Sequence, residues 1–347
     1  MIRVLIVDDS ALMRQILRET LSSDPDIEVI GVASDPLIAR KRIKLDNPDV
    51  ITLDVEMPRL DGLTFLERLM RLRPMPVVMV SALTQKGADV TLRALDAGAV
   101  DFIAKPTLDI EHHWEALKPE VIAKVKLAAR ASINSINRPR SETEAKPRPP
   151  LVFKGTRTVV AVGASTGGVM ALSDFLMDMP ADAPPILIVQ HMPPKFTGQL
   201  AERLNKQCSP TVLEATDGAQ VLGGHVYLAP GDQHMVLERS GALYKVRLHD
   251  GPLEGGHRPA VDLLFDSVAK AAGANAVGVL LTGMGKDGAK GLLAMREAGA
   301  FTIGQDEASC LIYGMPKAAV KLGAVEQQLP LSKISGAILD RLQREAA

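Results

Sequence analysis

Short apolar runs alternate with longer amphipathic stretches in two blocks of this 347-residue chain, and that alternation narrows the folds open to it. In the first block the apolar runs are Arg3–Val7, Val29–Ala33, Val50–Leu53, Val77–Val80 and Val100–Ile103. The stretches between them, such as Ala11–Leu21, Pro36–Leu45, Leu63–Leu72 and Val90–Ala97, have helical spacing. Continuous apolar runs suit strands buried on both faces, and strand–helix repeats lay helices over both faces of a parallel sheet. Residues 1–125 are therefore predicted to form an α/β domain around a five-stranded, doubly wound parallel sheet.

Residues 158–347 resume the alternation. Strands are predicted at Thr158–Val162, Pro185–Gln190, Ala276–Thr282 and Phe301–Gly304, and helices at Val169–Met177, Phe196–Lys206, Val261–Ala272, Ala289–Ala298 and Lys333–Gln343. Gly223–His249 differs. It alternates residue by residue and carries turn signals at Pro230-Gly231-Asp232 and Ser240-Gly241, which predicts an antiparallel hairpin. The second domain is thus expected to be α/β, with a mostly parallel sheet and that hairpin. Between the blocks, residues 132–157 are rich in proline and polar residues, with too little apolar surface to offset the entropy of ordering. Residues 126–157 are assigned as a linker, semi-stiff near Pro147–Pro150.

Composition removes several function classes. A net charge of −1 offers no basic surface for nucleic acid or an anionic membrane, and the second half holds no basic recognition helix. Two cysteines, Cys208 and Cys310, suit a reducing compartment rather than a disulfide framework. The N-terminal apolar stretch is too short for a signal sequence, and the run Ala276–Leu281 is far short of a membrane span. A cytoplasmic, monomeric protein without membrane insertion is expected.

Ligands of doubly wound sheets bind at the carboxyl ends of the strands. In the first block Asp8 and Asp9 follow the first strand, Asp54 ends the third, Ser81 the fourth and Lys105 the fifth. Singly, the aspartates could be helix caps and Lys105 a surface charge. Together on one edge they suggest phosphate chemistry. Three carboxylates repel one another unless a hard cation such as Mg²⁺ joins them, a carboxylate can attack a phosphoryl donor, and a lysine neutralises phosphoryl oxygens.

In the second block Gly163-Ala-Ser165-Thr-Gly167 fits G-x-S-x-G between a strand and a helix, the setting of a nucleophile elbow. Alone, the motif is equally an ordinary glycine-rich turn in which Ser165 caps a helix. A serine nucleophile needs a base, and the base an orienting carboxylate. Of the seven histidines, His112 and His113 lie in the first domain, His225, His234 and His249 in the hairpin region, and His257 in a Gly-Gly-His-Arg-Pro loop. His191 directly follows a strand, as Ser165 does, and Asp287 follows the strand Ala276–Thr282. The chain order Ser, His, Asp departs from the Ser, Asp, His order of common α/β-hydrolases. A rival reading exists: Gly283-Met-Gly285-Lys-Asp-Gly288 matches G-x-G-x-x-G after a strand, with Asp306 and Glu307 downstream. Asp287 inside that turn would repel a pyrophosphate. Nucleotide or partner binding by the second domain stays as the alternative.

Both halves resemble known families. Asp8-Asp9-Ser10, Asp54-Val-Glu-Met-Pro58 with Asp61-Gly62, Ser81-Ala82 and Lys105-Pro106 resemble a response-regulator receiver domain of flavodoxin-like fold. That likeness implies Asp54 as phosphoacceptor, Mg²⁺ held by Asp9 and Asp54 with Asp8 nearby and the Glu56 carbonyl contributing, Ser81 as switch hydroxyl and Lys105 as clamp. It also implies a histidine kinase as phosphodonor. Gly163–Gly168, Gln190-His191-Met-Pro-Pro194, Ala229-Pro-Gly-Asp-Gln-His234, Arg258-Pro-Ala-Val-Asp262 and Leu281–Gly288 resemble the catalytic domain of the chemotaxis protein-glutamate methylesterases. This implies Ser165 as nucleophile, His191 as base, Asp287 as its orienter and the Met284 backbone N–H as oxyanion donor, with no cofactor at that site. The substrates implied are glutamate methyl esters and certain glutamines of chemoreceptors, hydrolysed under control of the receiver.

Overall fold

The computed structural model describes residues 1–57, 61–82, 84–105, 110–131 and 158–346, so the linker over 132–157, Pro58, Pro106 and the side chains of His112 and His113 lie outside the described residues. Two compact units form, Met1–Arg138 and Pro139–Ala347.

In the first unit, strands β1 (Ile2–Val7), β2 (Ile27–Ala33), β3 (Val50–Asp54), β4 (Val77–Ala82) and β5 (Asp101–Lys105) form one sheet in the order β2-β1-β3-β4-β5. All four pairings are parallel. The order reverses between β1 and β3, which opens a crevice where Asp8 and Asp54 emerge. Helices start where short polar side chains take the first orphan amides. Ser10 caps Ala11–Ser22, and Asp35, followed by Pro36, caps Pro36–Asp46. A further helix, Ile110–Ala128, buries Trp114, whose indole N–H donates to Thr20 Oγ1 at 2.7 Å.

The second unit has a seven-stranded sheet. It comprises β6 (Val159–Ala164), β7 (Ile186–Gln190), β8 (Thr211–Glu214), β9 (His225–Leu228), β12 (Ala276–Leu280), β13 (Phe301–Gln305) and β14 (Gln327–Leu329), in the order β14-β13-β12-β6-β7-β9-β8. Every pairing is parallel. Strands β10 (His234–Ser240) and β11 (Leu243–His249) form a separate antiparallel pair. The α/β class with a hairpin holds, but Gly223–His249 is divided. Its first part, β9, buries Val226, Tyr227 and Leu228 in the parallel sheet, and only the turn at Ser240-Gly241 closes a hairpin. Gly241 has φ +64°, a conformation that costs glycine least. The strand-order reversal falls between β6 and β12, so the carboxyl ends of β7, β6 and β12 share one edge. Among the described residues no helix is long and apolar enough to cross a membrane.

Candidate functional site

The first unit gathers its acidic set at the predicted edge. Asp8 and Asp54 are buried, and the Lys105 ammonium lies between them, 3.0 Å from Asp8 Oδ2 and 2.9 Å from Asp54 Oδ1. Asp8 Oδ1 accepts from Ser10 N at 2.9 Å, while Asp8 Oδ2 has the ion pair but no aligned hydrogen bond. Exposed Asp9 completes a group in which one oxygen from each carboxylate lies within 4.8 Å of the others. A set of hard oxygen donors this close, with an under-used buried oxygen, fits a small divalent cation. Burial pushes the Asp54 carboxyl up to about 6, with Asp8 adding to the rise and Lys105 opposing it. Burial would pull Lys105 down, but Asp54 and Asp8 outweigh it and hold the ammonium above its ordinary range.

Ser81 ends up on the same edge, buried in β4 one position beyond the level of Asp54, with its Oγ donating to Gly87 O at 3.3 Å. Glu56 N donates to Asp54 Oδ1 at 3.3 Å. The helix Gly62–Leu72 starts against the Asp54 main chain: a β-carbon at Gly62 would lie 2.0 Å from Asp54 O, so only glycine fits there.

In the second unit, Ser165 follows β6, His191 follows β7 and Asp287 lies in the loop after β12. Main-chain bonds carry the sheet register past the strand ends: Ser165 N donates to Thr282 O at 3.0 Å and His191 N to Ala164 O at 3.2 Å. The turn at Ser165 is tight because Gly167 adopts φ +78°, where a side chain would also strike Leu311. Gly168 N then donates to Ser165 O at 2.7 Å. Thr282 braces the turn, its Oγ1 3.0 Å from Thr166 O and its N–H donating to Gln305 Oε1 at 2.8 Å.

His191 Nε2 meets Asp287 Oδ2 at 2.7 Å. Asp287 also accepts from Val261 N at 2.8 Å and Asp262 N at 2.9 Å, the first amides of the helix Val261–Ala272. Burial alone would raise the Asp287 carboxyl, but the His191 bond and charge and these two amides outweigh it and hold it below the ordinary carboxylate range. Facing an ionised carboxylate that can only accept, Nε2 of His191 is the donor of this pair. Nδ1, buried and without a hydrogen-bond partner, is the basic nitrogen. These roles are swapped relative to the familiar triad, in which Nδ1 faces the carboxylate.

The loop at 283–288 accounts for its glycines without a dinucleotide. Gly283 abuts Ser165, Gly285 and Gly288 adopt φ +86° and +84°, and Asp287 spends its carboxylate on His191 and two amides. Met284, half exposed, follows Gly283 beside the serine.

Two contacts escaped the sequence. The His257 ring stacks on His191 at 3.9 Å with planes 7° apart. Gln190, one residue before His191, donates from Nε2 to both Ser165 O and His191 O. The strand-end position of Gln190 was the one available signal for it. His257 had none beyond its Gly-Gly-His-Arg-Pro loop. His225, His234 and His249 hold structural bonds around the hairpin.

Comparison with known proteins covers both units. The CheB methylesterase family model matches residues 160–338, and the response regulator receiver domain model matches residues 4–117. The chain is 55% identical over 341 residues to the protein-glutamate methylesterase/protein-glutamine glutaminase of Salmonella typhimurium, covering 98% of this chain and 97% of that one. It is 56% identical over 338 residues to the protein of the same name from Shigella flexneri, covering 97% and 96%. Among solved structures, the Thermotoga maritima CheB methylesterase catalytic domain matches with a TM-score of 0.52 at 38% identity, over 53% of this chain and 98% of that one.

Proposed function

The chain belongs to the CheB methylesterase family and carries a response regulator receiver domain, and on that footing we propose that it is a chemotaxis protein-glutamate methylesterase and protein-glutamine glutaminase in which Ser165, His191 and Asp287 do the chemistry. The observation that carries the assignment of residues is the 2.7 Å pair between His191 Nε2 and Asp287, held at the strand end beside the Ser165 turn.

Ser165 Oγ attacks the carbonyl carbon of a γ-glutamyl methyl ester while His191 Nδ1 takes its proton. Asp287 stays ionised and stabilises the imidazolium. The Met284 N–H donates to the tetrahedral oxyanion, an interaction worth about 3–4 kcal/mol in comparable enzymes. The imidazolium then protonates methanol as it leaves. Water, deprotonated by the same nitrogen, hydrolyses the acyl-enzyme to free glutamate. A glutamine side chain follows the same path and releases ammonia. The substrate residues sit on chemoreceptors.

The receiver accepts a phosphoryl group on Asp54 from a histidine kinase, with Lys105 clamping the phosphoryl oxygens and Ser81 bonding one of them. Asp9 and Asp54, with Asp8 and the Glu56 carbonyl, would hold Mg²⁺, which supplies positive charge to the transferred group. We assign 1–125 to the receiver, 126–157 to the linker and 158–347 to the esterase, in a monomeric cytoplasmic protein. The unphosphorylated receiver restrains the esterase, and phosphorylation of Asp54 releases it by favouring a different state.

Methanol release from methyl-labelled receptor membranes tests this reading, with and without Mg²⁺ and a small phosphodonor, beside Ser165→Ala. Release that rises with phosphodonor and disappears in the variant is expected. Absence of release under every condition would refute it. Deleting residues 1–145 is expected to raise activity above that of the unphosphorylated full chain, and unchanged activity would refute restraint by the receiver.

A further inference from the structure

Gln190 is the last residue of β7 and is only 2% exposed. Its side-chain Nε2 donates to Ser165 O at 3.0 Å and to His191 O at 3.2 Å, so one amide group ties the main chain of the nucleophile to that of the base. Ser165 O already accepts from Gly168 N at 2.7 Å. With two donors on that oxygen, the peptide plane leaving Ser165 is fixed.

The other end of the amide is unsatisfied. Gln190 Oε1 is buried and has no hydrogen-bond donor. It packs against Gly168, where a β-carbon would lie 2.0 Å from it. Turning the amide over would set Oε1 against two carbonyl oxygens, so the assignment of nitrogen and oxygen is forced by chemistry. A buried acceptor without a partner destabilises a fold, and an apolar side chain at this inward strand position would remove that cost. The cost falls where both catalytic main chains come within reach of one side chain.

We propose that Gln190 is a positioning residue that sets the placement of Ser165 relative to His191 by holding both of their carbonyls, a role that rests on the esterase reading above. Being buried, it acts through these two residues and not on substrate. Its loss therefore lowers kcat and leaves KM nearly unchanged, since small misplacements of reacting groups cost rate steeply.

The test uses the full chain with phosphodonor. Gln190→Met keeps the volume and removes the donor. It is expected to lose about 10- to 100-fold in kcat at a KM within about twofold of the parent. Gln190→Glu supplies a chemical readout. Its protonated carboxyl can donate one hydrogen bond, whereas its carboxylate repels both carbonyls. Activity of Gln190→Glu relative to the parent is expected to be highest at acid pH and to fall as pH rises. A residue that only fills space would give Gln190→Met near-parent kcat and Gln190→Glu a constant ratio, and either result overturns the proposal. The rate at which a fluorophosphonate labels Ser165 is measured in parallel. Labelling needs nucleophile and base but no receptor, so it reads Gln190 even if the parent released no methanol. That failure would count against the ester substrate alone.

Discussion

Gly283 lies so close to Ser165 that a β-carbon at position 283 would come within 2.8 Å of the Ser165 Cβ. The same atom would lie 2.2 Å from Met315 Sδ. A methionine end can swing aside, but Ser165 is held by its main-chain bonds to Thr282 and Gly168 and cannot move without breaking its turn. Gly283→Ala is therefore expected to lower kcat by about 100-fold. Adding Met315→Ala to relieve the second clash is expected to leave that loss in place. Methanol release and Ser165 labelling rates check both variants, and recovery of activity in the double variant would contradict the serine as the critical contact.

Asp287→Asn is expected to reduce kcat by roughly 10³–10⁴-fold, because an amide can present its N–H to Nε2 and favour the wrong tautomer. Because the folded carboxyl lies below its ordinary value, its charge stabilises the fold fully above the unfolded range of about 4 and less as pH falls through the folded value. The difference in thermal midpoint between the parent and Asp287→Asn is expected to shrink below about pH 4. A gap that stayed constant into acid would show that ionisation is not what stabilises this residue.

Asp54 has the opposite sign. With its folded value raised to about 6, the folded receiver holds its proton longer than the unfolded chain. Metal-free stability therefore falls as pH rises from about 4 through 6. Asp54→Asn, a neutral isostere, is expected to raise the receiver's thermal midpoint at pH 7.5 by about 2–5 °C without metal. Mg²⁺ is expected to stabilise the parent more than this variant, and phosphodonor is expected to leave the variant's esterase rate unchanged. Calorimetry with chelator and with Mg²⁺ decides the first two points.

His234 links pH to the start of the helix Val261–Ala272, whose first amides hold Asp287. Its Nδ1 accepts from Ala260 N at 3.2 Å and its Nε2 donates to Pro252 O at 2.9 Å, which requires a neutral ring. Burial lowers its affinity for a proton, and nearby His249 and Arg258 add to this, against the Pro252 bond and Asp287. The stabilisation is complete above about pH 6.5 and is lost as pH falls through the lower folded value. His234→Gln is expected to flatten that acid decline and to cost about 1–3 kcal/mol at pH 7.5. Unfolding midpoints at pH 5 to 8 would expose an error if the slope survived.

The strand ends bearing Asp8, Asp54, Ser165 and His191 were legible because both-face burial makes each strand a continuous apolar word, and a polar residue at its end stands out. β8 and β14 were not. They are four and three residues long, partly exposed, and exist because neighbouring strands offer an edge to pair with. The hairpin predicted over Gly223–His249 forms in its later part, at His234–His249, whereas Val226–Leu228 is buried in the parallel sheet, a tertiary effect that overrides local alternation. His257 could not be placed from the chain alone, because its stacking on His191 depends on the path of an irregular loop. Which ring nitrogen of His191 faces Asp287 is set by side-chain rotation in the folded site, and spacing does not encode that.

The strand order β12-β6-β7 has a consequence for how the protein comes into being on the ribosome. A nascent chain that has emerged only through β7 already carries serine and histidine, yet the strand that completes their edge is still unmade. Asp287 and the amides that hold it, from Val261 and Asp262, follow later in the chain. The proposed triad is therefore completed only once translation has passed Asp287, after the receiver, Ser165 and His191 have all been made.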